Sequence, residues 1–258
     1  MRLEGTVALI TGASAGIGQA VATRFAARGA RVLVHGRDPG RTRAVAADVG
    51  GTPLVADLAS PAARADLVEA ATQQFGRVDI LVNNAGIGWS GPLTQMSVED
   101  IRRVIEVDLL AAIELSRAVL PAMVDRGFGA LCFVSSVAGR TGVAGEAVYS
   151  AAKAALDAFA DSVRAEAAGS GVHVGVVVPG AVSTGFFDKR GRDYDRAHPK
   201  PVQADAVADA VVRAVAAERA EVWIPGWLRV APTVRSLAPA MYRRLVTRFG
   251  EPIRLARR

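Results

Sequence analysis

The chain has 258 residues, of which 51% are hydrophobic and 22% charged, with a formal net charge of +6. This composition is typical of a globular protein and excludes the disordered class. A single cysteine, Cys132, excludes a disulfide within the chain, and the sequence has no run of about 18 apolar residues that would predict a membrane-spanning helix.

Two further features of the composition bear on location and partners. The N-terminal residues lead almost directly into an apolar strand and lack a secretory signal pattern, so we expect a cytoplasmic protein. Lysine occurs only at positions 153, 189 and 200, so nearly all the positive charge is arginine. Because an arginine-rich composition is often a general bias, we predict no nucleic-acid partner.

A glycine-rich turn joins the first predicted strand to the first predicted helix. The apolar residues 6–10 are followed by TGASAGIG and by an amphipathic segment over residues 19–28. This order places backbone N–H groups and a helix N-terminus against a pyrophosphate, and a Cβ in the turn would block the ligand. We predict a dinucleotide site, the alternative being a tight connection without a ligand. Its predicted residues are Gly12, Ser14, Ala15, Gly16, Ile17 and Gly18.

The end of the second strand, residues 31–35, indicates which dinucleotide binds. The strand is followed by Gly36, Arg37 and Asp38. An acidic residue at this point binds the ribose 2′-hydroxyl of NAD, whereas an arginine accommodates the 2′-phosphate of NADP. Asp38 lies one residue beyond the usual acidic position. We therefore predict that Arg37 makes NADP(H) the preferred cofactor over NAD(H).

The next two strands end in further candidate cofactor residues. Residues 51–56 lead to Asp57 and Leu58, where Asp57 either accepts a hydrogen bond from the adenine amino group or caps the helix that follows. Residues 78–82 lead to Asn83 and then to Asn84, Ala85 and Gly86. Small residues leave room for a cofactor to cross the sheet edge, and amides tie neighbouring loops together.

A serine, a tyrosine and a lysine form the candidate reaction centre. The buried strand 130–134 leads to Ser136, and a glycine-containing loop leads to a helix with Tyr149 and Lys153. Residues four apart share a helix face. A free tyrosine titrates near about 10, and a cation within about 4–6 Å lowers that pKa. We predict that Ser136 holds a substrate oxygen while Tyr149, activated by Lys153, exchanges its proton. Alone, this Tyr–Lys spacing is common on solvated helices.

Together, TGASAGIG, NNAG, a serine 13 positions before Tyr149, and YSAAK resemble the short-chain dehydrogenase/reductase family from residue 5 to about residue 225. The resemblance implies a Rossmann-type, doubly wound α/β fold. Its parallel sheet would have about seven strands in the order 3-2-1-4-5-6-7, with helices on both faces. It also implies hydride transfer between NAD(P)(H) and an alcohol or carbonyl, catalysis by Ser136, Tyr149 and Lys153, and a homodimer or homotetramer.

The resemblance extends to two further segments. Residues 179–184 resemble the family's PGxVxT segment, which implies that Pro179, Gly180, Val182 and Thr184 help to bind the nicotinamide end of the cofactor. Asp108, in a long helix predicted over residues 97–124, stands where many members have asparagine. In the family, the backbone carbonyl of that residue holds a water in a proton relay to the lysine. Asp108 keeps the carbonyl, and we include it among the catalytic residues.

The final third of the chain holds the predicted substrate loop and a basic tail. Residues 185–201 correspond to a family substrate lid, and Trp89, Arg140 and Val143 are candidate pocket walls. The tail, at about 228–258, alternates arginines with helically spaced apolar residues. We predict that it packs against its own domain or a partner subunit, the alternative being an anionic membrane surface. We assign the whole chain, 1–258, to one domain.

We interpret the sequence as an NADP(H)-dependent oxidoreductase that interconverts a small-molecule carbonyl and a secondary alcohol, with Tyr149 as general acid and base. No metal site is predicted. The alternative is a nucleotide-sensing or scaffold protein that keeps the fold without turnover. Fold does not choose among substrates, because pocket loops decide them.

Overall fold

The computed structural model of the protein describes residues 1–190 and 200–249. Its strands are β1 (Val7–Ile10), β2 (Arg31–Gly36), β3 (Thr52–Val55), β4 (Ile80–Asn83), β5 (Gly129–Val134), β6 (Val172–Pro179), β7 (Val182–Ser183), β8 (Val202–Gln203) and β9 (Glu221–Ile224). Its α-helices are α1 (Gly16–Ala26), α2 (Pro39–Val49), α3 (Pro61–Phe75), α4 (Val98–Ile105), α5 (Ala111–Arg126), α6 (Val137–Thr141), α7 (Ala147–Glu166), α8 (Phe186–Lys189), α9 (Ala204–Ala216), α10 (Val230–Leu237) and α11 (Pro239–Phe249).

Within the described ranges, seven strands form one parallel sheet in the order β3-β2-β1-β4-β5-β6-β9. This confirms the expected fold class and strand order. The seventh position is taken by β9 because the two-residue strands β7 and β8 pair with each other instead. Residues of β1, β4 and β5 are buried throughout, as strands covered on both faces require.

Two apolar layers hold helices against the two faces of the sheet. On one face, side chains of α1, α2 and α9 pack on the sheet, with Phe25 and Val211 fully buried. On the other face, α3, α5 and α7 pack on it, with Leu115 and Leu156 at the centre. The sheet is therefore covered on both sides, and the carboxyl ends of its strands are the place where loops gather.

The long helix predicted over residues 97–124 is interrupted. Ser97 caps its start by accepting a hydrogen bond from the amide of Asp100 at 3.0 Å. Between α4 and α5, the five residues Glu106–Leu110 form a π-helical turn. A π-turn widens a helix locally and bends it. This turn places Asp108 inside the protein, towards α7.

The tail forms two helices rather than the single continuous helical pattern that the apolar spacing indicated. A 3₁₀ turn, Gly226–Arg229, leads into α10, and α11 begins at Pro239. Proline disfavours the continuation of a helix from the preceding turn because it lacks the N–H group. Within the described residues, no helix combines the length and the apolar character needed to cross a membrane.

Candidate functional site

A cavity of about 1260 Å³ lies at the carboxyl ends of the strands. It brings together almost all the residues predicted from the sequence, from the glycine-rich turn to the Tyr149 helix. The predicted residues that line it are Gly12, Ser14, Ala15, Gly16, Ile17, Arg37, Asp57, Leu58, Asn84, Ala85, Gly86, Ser136, Tyr149, Lys153, Pro179, Gly180, Val182 and Thr184. Gly18 and Asp108 lie behind this surface, each in contact with residues that form it.

The glycine-rich turn adopts a backbone that side chains would obstruct. Gly12 has φ +65°, and a Cβ there would lie 2.8 Å from the Cα of Ala85. Gly16, at φ +57°, opens α1. A Cβ on Gly18 would lie 2.4 Å from the carbonyl oxygen of Gly12, so this residue lets α1 pack under the turn. A helix N-terminus behind an open, Cβ-free turn fits a dinucleotide pyrophosphate.

His35, at the end of β2, was not singled out from the sequence. The amide of Gly12 donates to its Nδ1 at 3.2 Å, and its Nε2 lies 3.2 Å from the carbonyl oxygen of Ala56. Since Nδ1 accepts, the proton of the neutral ring lies on Nε2 and is donated to Ala56. Burial lowers the pKa of His35 to about 4. The neutral ring thus joins the glycine-rich turn to the ends of β2 and β3. In the sequence, the only sign of this role is a polar residue within an otherwise apolar strand.

The NNAG segment is bonded to the glycine-rich turn, as predicted. The Asn84 side-chain amide donates to the carbonyl oxygen of Thr11 at 2.8 Å. In return, the Thr11 hydroxyl accepts from the backbone amides of Asn84 and Ala85 at 2.9 and 3.0 Å. These bonds set the distance between the β1 and β4 loops across which a cofactor would lie.

Two arginines line the cavity near the end of β2. Arg37 is exposed there, and Arg41 lines the same cavity although sequence reasoning missed it. Asp38 is the N-cap of α2, where its carboxylate accepts from the Arg41 amide at 2.9 Å and pairs with the Arg41 side chain at 3.3 Å. The amide hydrogen bond from Arg41 lowers the pKa of Asp38. The Asp38 carboxylate therefore caps α2, and Arg37 and Arg41 are the positively charged side chains at this part of the cavity.

Asp57 is not the cap of α3, so the structural alternative considered for it is wrong. Ser60 is the N-cap, accepting from the Ala63 amide at 3.4 Å. One oxygen of Asp57 accepts from the Ala59 amide at 3.1 Å, and the other pairs with Arg103 at 3.0 Å. The carboxylate is thus held at the cavity wall by a salt bridge to α4.

The reaction-centre residues meet where β5 ends and α7 begins. The Ser136 hydroxyl accepts from the amide of Ala138 at 3.2 Å and lies near enough to the Tyr149 phenol to act against the rise of its pKa. The buried Lys153 ammonium donates to the carbonyl oxygen of Val134 at 3.2 Å and lies 5.7 Å from the centre of the Tyr149 ring. One turn of α7 therefore places the phenol and the ammonium side by side, as the spacing predicted.

Asp108 changes the electrostatics of this group. One carboxylate oxygen accepts from the amide of Ile87 at 2.7 Å, and the other lies 3.5 Å from Lys153 Nζ. Burial raises the pKa of Asp108 to about 6, although Lys153 opposes the shift. The sequence led us to expect a lowered pKa for Tyr149, whereas in this structure that pKa is raised. Desolvation raises that pKa and the Asp108 carboxylate raises it further, while Ser136 acts in the opposite direction.

The remaining wall of the cavity combines apolar side chains with the ion pair of Arg190 and Glu146. The ring of Phe186, in α8, lies 5.7 Å from that of Tyr149. Val143 lines the cavity as expected, whereas Arg140 pairs with Asp157 at 2.6 Å and Trp89 packs in a separate apolar cluster. Residues 191–199 of the predicted substrate loop lie outside the described residues.

The residues that follow β9 contribute to the cavity, although sequence reasoning did not assign them to it. The cavity is lined in part by Trp227, Leu228, Ala231 and Tyr242.

In the described part of the chain, no group of three or more His, Cys, Asp or Glu side chains is arranged to hold a metal.

Comparisons with known proteins agree with this geometry. A family profile described as short chain dehydrogenase matches residues 6–195. The 3-oxoacyl-[acyl-carrier-protein] reductase of Escherichia coli is 40% identical over 186 residues, which cover 71% of this chain and 76% of that protein. A short-chain dehydrogenase from Sphingobium yanoikuyae, solved with NADPH, matches 98% of this chain and 99% of its own at 32% identity and a TM-score of 0.81. A 3-ketoacyl-(acyl-carrier-protein) reductase from Brucella melitensis, solved with NADH, matches 86% of this chain and 97% of its own at 28% identity and a TM-score of 0.80.

Proposed function

We propose, on the premise that this chain belongs to the short-chain dehydrogenase family, that it is an NADP(H)-dependent reductase interconverting a carbonyl and a secondary alcohol. The observation that carries the proposal is the convergence of Ser136, Tyr149 and Lys153 on the cavity that also contains the glycine-rich turn. The proposed nucleotide-binding surface and the proton-transfer group therefore share one cavity, as hydride-transfer enzymes need.

The residues present fit a nicotinamide dinucleotide. The open turn at Gly12 and Gly16 would hold the pyrophosphate, and the residues of the 179–184 segment would hold the nicotinamide end. Arg37 and Arg41 favour a 2′-phosphate, because guanidinium groups bind phosphate well. The NADPH held by the Sphingobium yanoikuyae relative supports this preference. The NADH held by the Brucella melitensis relative makes NAD(H) the alternative.

When bound, NADPH supplies the hydride that a carbonyl carbon accepts. The side chains of the reaction centre then manage the charge on the carbonyl oxygen. The hydroxyl of Ser136 donates a hydrogen bond to it, and the Tyr149 phenol gives it a proton. Because its pKa is raised, Tyr149 holds its proton at neutral pH, which suits a donor in the direction of reduction. Lys153, close to the ring, would bind the nicotinamide ribose and stabilise the phenolate that remains.

Asp108 enters this proposal in two ways. Its backbone carbonyl, in the π-turn between α4 and α5, would hold the relay water that leads to Lys153. Its carboxylate holds Lys153 on one side and the amide of Ile87 on the other. An aspartate can therefore keep the position of the lysine, at the cost of opposing the formation of a second negative charge on Tyr149.

The substrate would carry its carbonyl on an apolar body. Val143, Phe186 and Leu228 line the cavity that contains Tyr149, and apolar walls bind apolar substituents. The similarity to the Escherichia coli protein makes 3-oxoacyl compounds the first class to try. We also propose a cytoplasmic homodimer or homotetramer.

One alternative has an observation in its favour. A nucleotide-sensing or scaffold protein on this fold would tolerate the Asp108 carboxylate beside Lys153, because binding does not need a phenolate. The two functions differ in whether bound NADPH is consumed.

The test is NADPH binding by fluorescence titration, followed by NADPH oxidation with a panel of ketones, aldehydes and 3-oxoacyl thioesters. We expect turnover that Tyr149→Phe lowers by about 10²- to 10⁴-fold, with NADPH binding kept. Tyr242→Phe is the matched control, because Tyr242 lines the same cavity and donates to the Thr141 carbonyl at 3.2 Å. Tight NADPH binding with no turnover across the panel would favour the sensor, and full turnover by Tyr149→Phe would reject it as the proton donor.

A further inference from the structure

The segment that follows β9 carries an unusual charge. Between Glu221 and Glu251 the sequence has no aspartate or glutamate, yet it has five arginines, at positions 229, 235, 243, 244 and 248. In the structure, Arg229, Arg235, Arg243 and Arg244 are exposed. We call residues 226–249 the C-terminal segment. The residues of this segment therefore give its surface a positive charge.

The same segment exposes large apolar side chains. Of the nine that the described chain exposes, four lie here: Trp227 (58% exposed), Val230 (57%), Leu237 (82%) and Met241 (50%). Val230 and Leu237, seven residues apart on α10, share one helix face. Clustered exposed apolar groups on a soluble surface indicate a contact with something apolar.

The exposure does not come from a detached tail, because other side chains fix the segment to the body. Leu228 is buried, and the Arg235 guanidinium donates to the carbonyl oxygen of Arg140 at 2.9 Å. The Tyr242 hydroxyl donates to the carbonyl oxygen of Thr141 at 3.2 Å. The own-body packing predicted from the sequence is thus present through these contacts. The side chains that stay exposed, which we call the outer side, include Trp227, Leu237, Met241, Arg229 and Arg244.

We propose that the outer side of the C-terminal segment docks on an anionic lipid bilayer. Such a surface offers negative head groups to the arginines and an acyl region to Trp227, Leu237 and Met241, and the two attractions add. A second copy of this chain fits less well, because a symmetric contact through this face would oppose arginines to arginines. Charge complementarity therefore selects the membrane.

Docking would place the cavity next to the bilayer. Trp227, Leu228, Ala231 and Tyr242 belong to the segment and also line the cavity. If the proposed reductase function holds, its substrate would be a carbonyl compound that partitions into lipid. The docking proposal itself does not depend on that reaction.

The experiment is co-sedimentation of the full chain, with NADPH, on vesicles of phosphatidylcholine alone or mixed with phosphatidylglycerol. We expect binding to the anionic vesicles only, weakened by salt. Arg243→Gln with Arg244→Gln should weaken it by about tenfold or more, and Leu237→Ser with Met241→Ser should weaken it at unchanged charge. Arg28→Gln with Arg213→Gln removes the same charge from exposed sites just after α1 and in α9, and should leave binding nearly unchanged.

Three results would overturn the proposal: no vesicle binding, equal binding to neutral vesicles, or equal loss in the control variant. Sedimentation equilibrium identifies the competing occupant. If the Leu237 and Met241 variant turns an oligomer into monomers and no vesicles bind, a second copy covers this face. NADPH titration and thermal unfolding of every variant show that each is folded. Since none of these measurements requires turnover, a failure of the reductase proposal would give a different pattern.

Discussion

The carboxylate of Asp108 lies 3.5 Å from the ammonium of Lys153, and both side chains are almost completely buried. Removing two charges from water is costly, so a buried pair is stable only when each charge has further partners. Here the Ile87 amide donates to the carboxylate and the Val134 carbonyl accepts from the ammonium. The pair therefore persists beside Tyr149, and its negative member opposes ionisation of the phenol.

Replacing Asp108 with asparagine should move the pH dependence of alcohol oxidation to lower pH. Above pH 6 the wild-type carboxylate is ionised, because its pKa is about 6, and its charge raises the pKa of the Tyr149 phenol. Asparagine keeps an oxygen for the Ile87 amide but removes the charge. The rising limb of the pH–rate profile should shift down by about one pH unit. Asp66→Asn, an exposed change on α3, is the control. An identical profile for Asp108→Asn would mean that the two groups are not coupled.

Arg37→Ala should weaken NADPH binding by about tenfold or more and leave NADH binding nearly unchanged. The guanidinium is proposed to contact only the 2′-phosphate, and a charge-assisted hydrogen bond contributes about 1.5–3 kcal/mol. Arg43→Ala removes an exposed arginine of α2 that does not line the cavity and is the matched control. Fluorescence titration with NADPH and with NADH measures the ratio of the two dissociation constants in each variant. Equal losses for NADPH and NADH would exclude a 2′-phosphate role, and the double variant with Arg41→Ala tests whether the two arginines share it.

His35 should make the protein less stable as the pH falls. Its pKa is about 4 in the folded protein and near 6.5 when unfolded, so between these values the unfolded chain binds more protons. Stability is therefore present above pH 6.5 and is lost as the pH falls towards 4. In urea unfolding at pH 7 and pH 5, the advantage of wild type over His35→Asn should shrink by roughly 2 kcal/mol. A constant difference would mean that His35 is not held neutral. His173 is present in both wild type and His35→Asn, so its own effect on stability cancels when the two are compared.

Gly12→Ala should destabilise the protein more than Gly5→Ala. Both glycines have positive φ, +65° and +73°, so both variants carry the roughly 1–2 kcal/mol cost of a left-handed alanine. Only at Gly12 would the methyl group also meet the Cα of Ala85 at 2.8 Å, whereas nothing lies within 4 Å at Gly5. Urea unfolding and NADPH titration should show the larger loss of stability, and a loss of binding, for Gly12→Ala alone. Equal effects would mean that the turn has room to relax.

The strand order was predictable because the family resemblance implies it, and it was confirmed. The hydrogen-bond and salt-bridge partners of individual side chains were harder to predict from the sequence. Of the two alternatives for Asp57, the cap of α3 was wrong because Ser60, three residues later, forms the cap. The hydrogen bond between His35 and Gly12 joins β2 to the glycine-rich turn, and the two residues are 23 apart in the chain. A pattern of neighbouring residues therefore cannot predict this contact.

The sequence by itself carried the motifs that identify the family, and the resemblance then implied the order of the sheet and which serine, tyrosine and lysine come to one cavity. Tertiary structure alone decided the environment of these groups. The raised pKa of Tyr149 depends on desolvation and on Asp108, which is 41 residues away in the chain and reaches α7 through a π-turn. Charge interactions depend on distance and burial in three dimensions, and these exist only once the chain is folded.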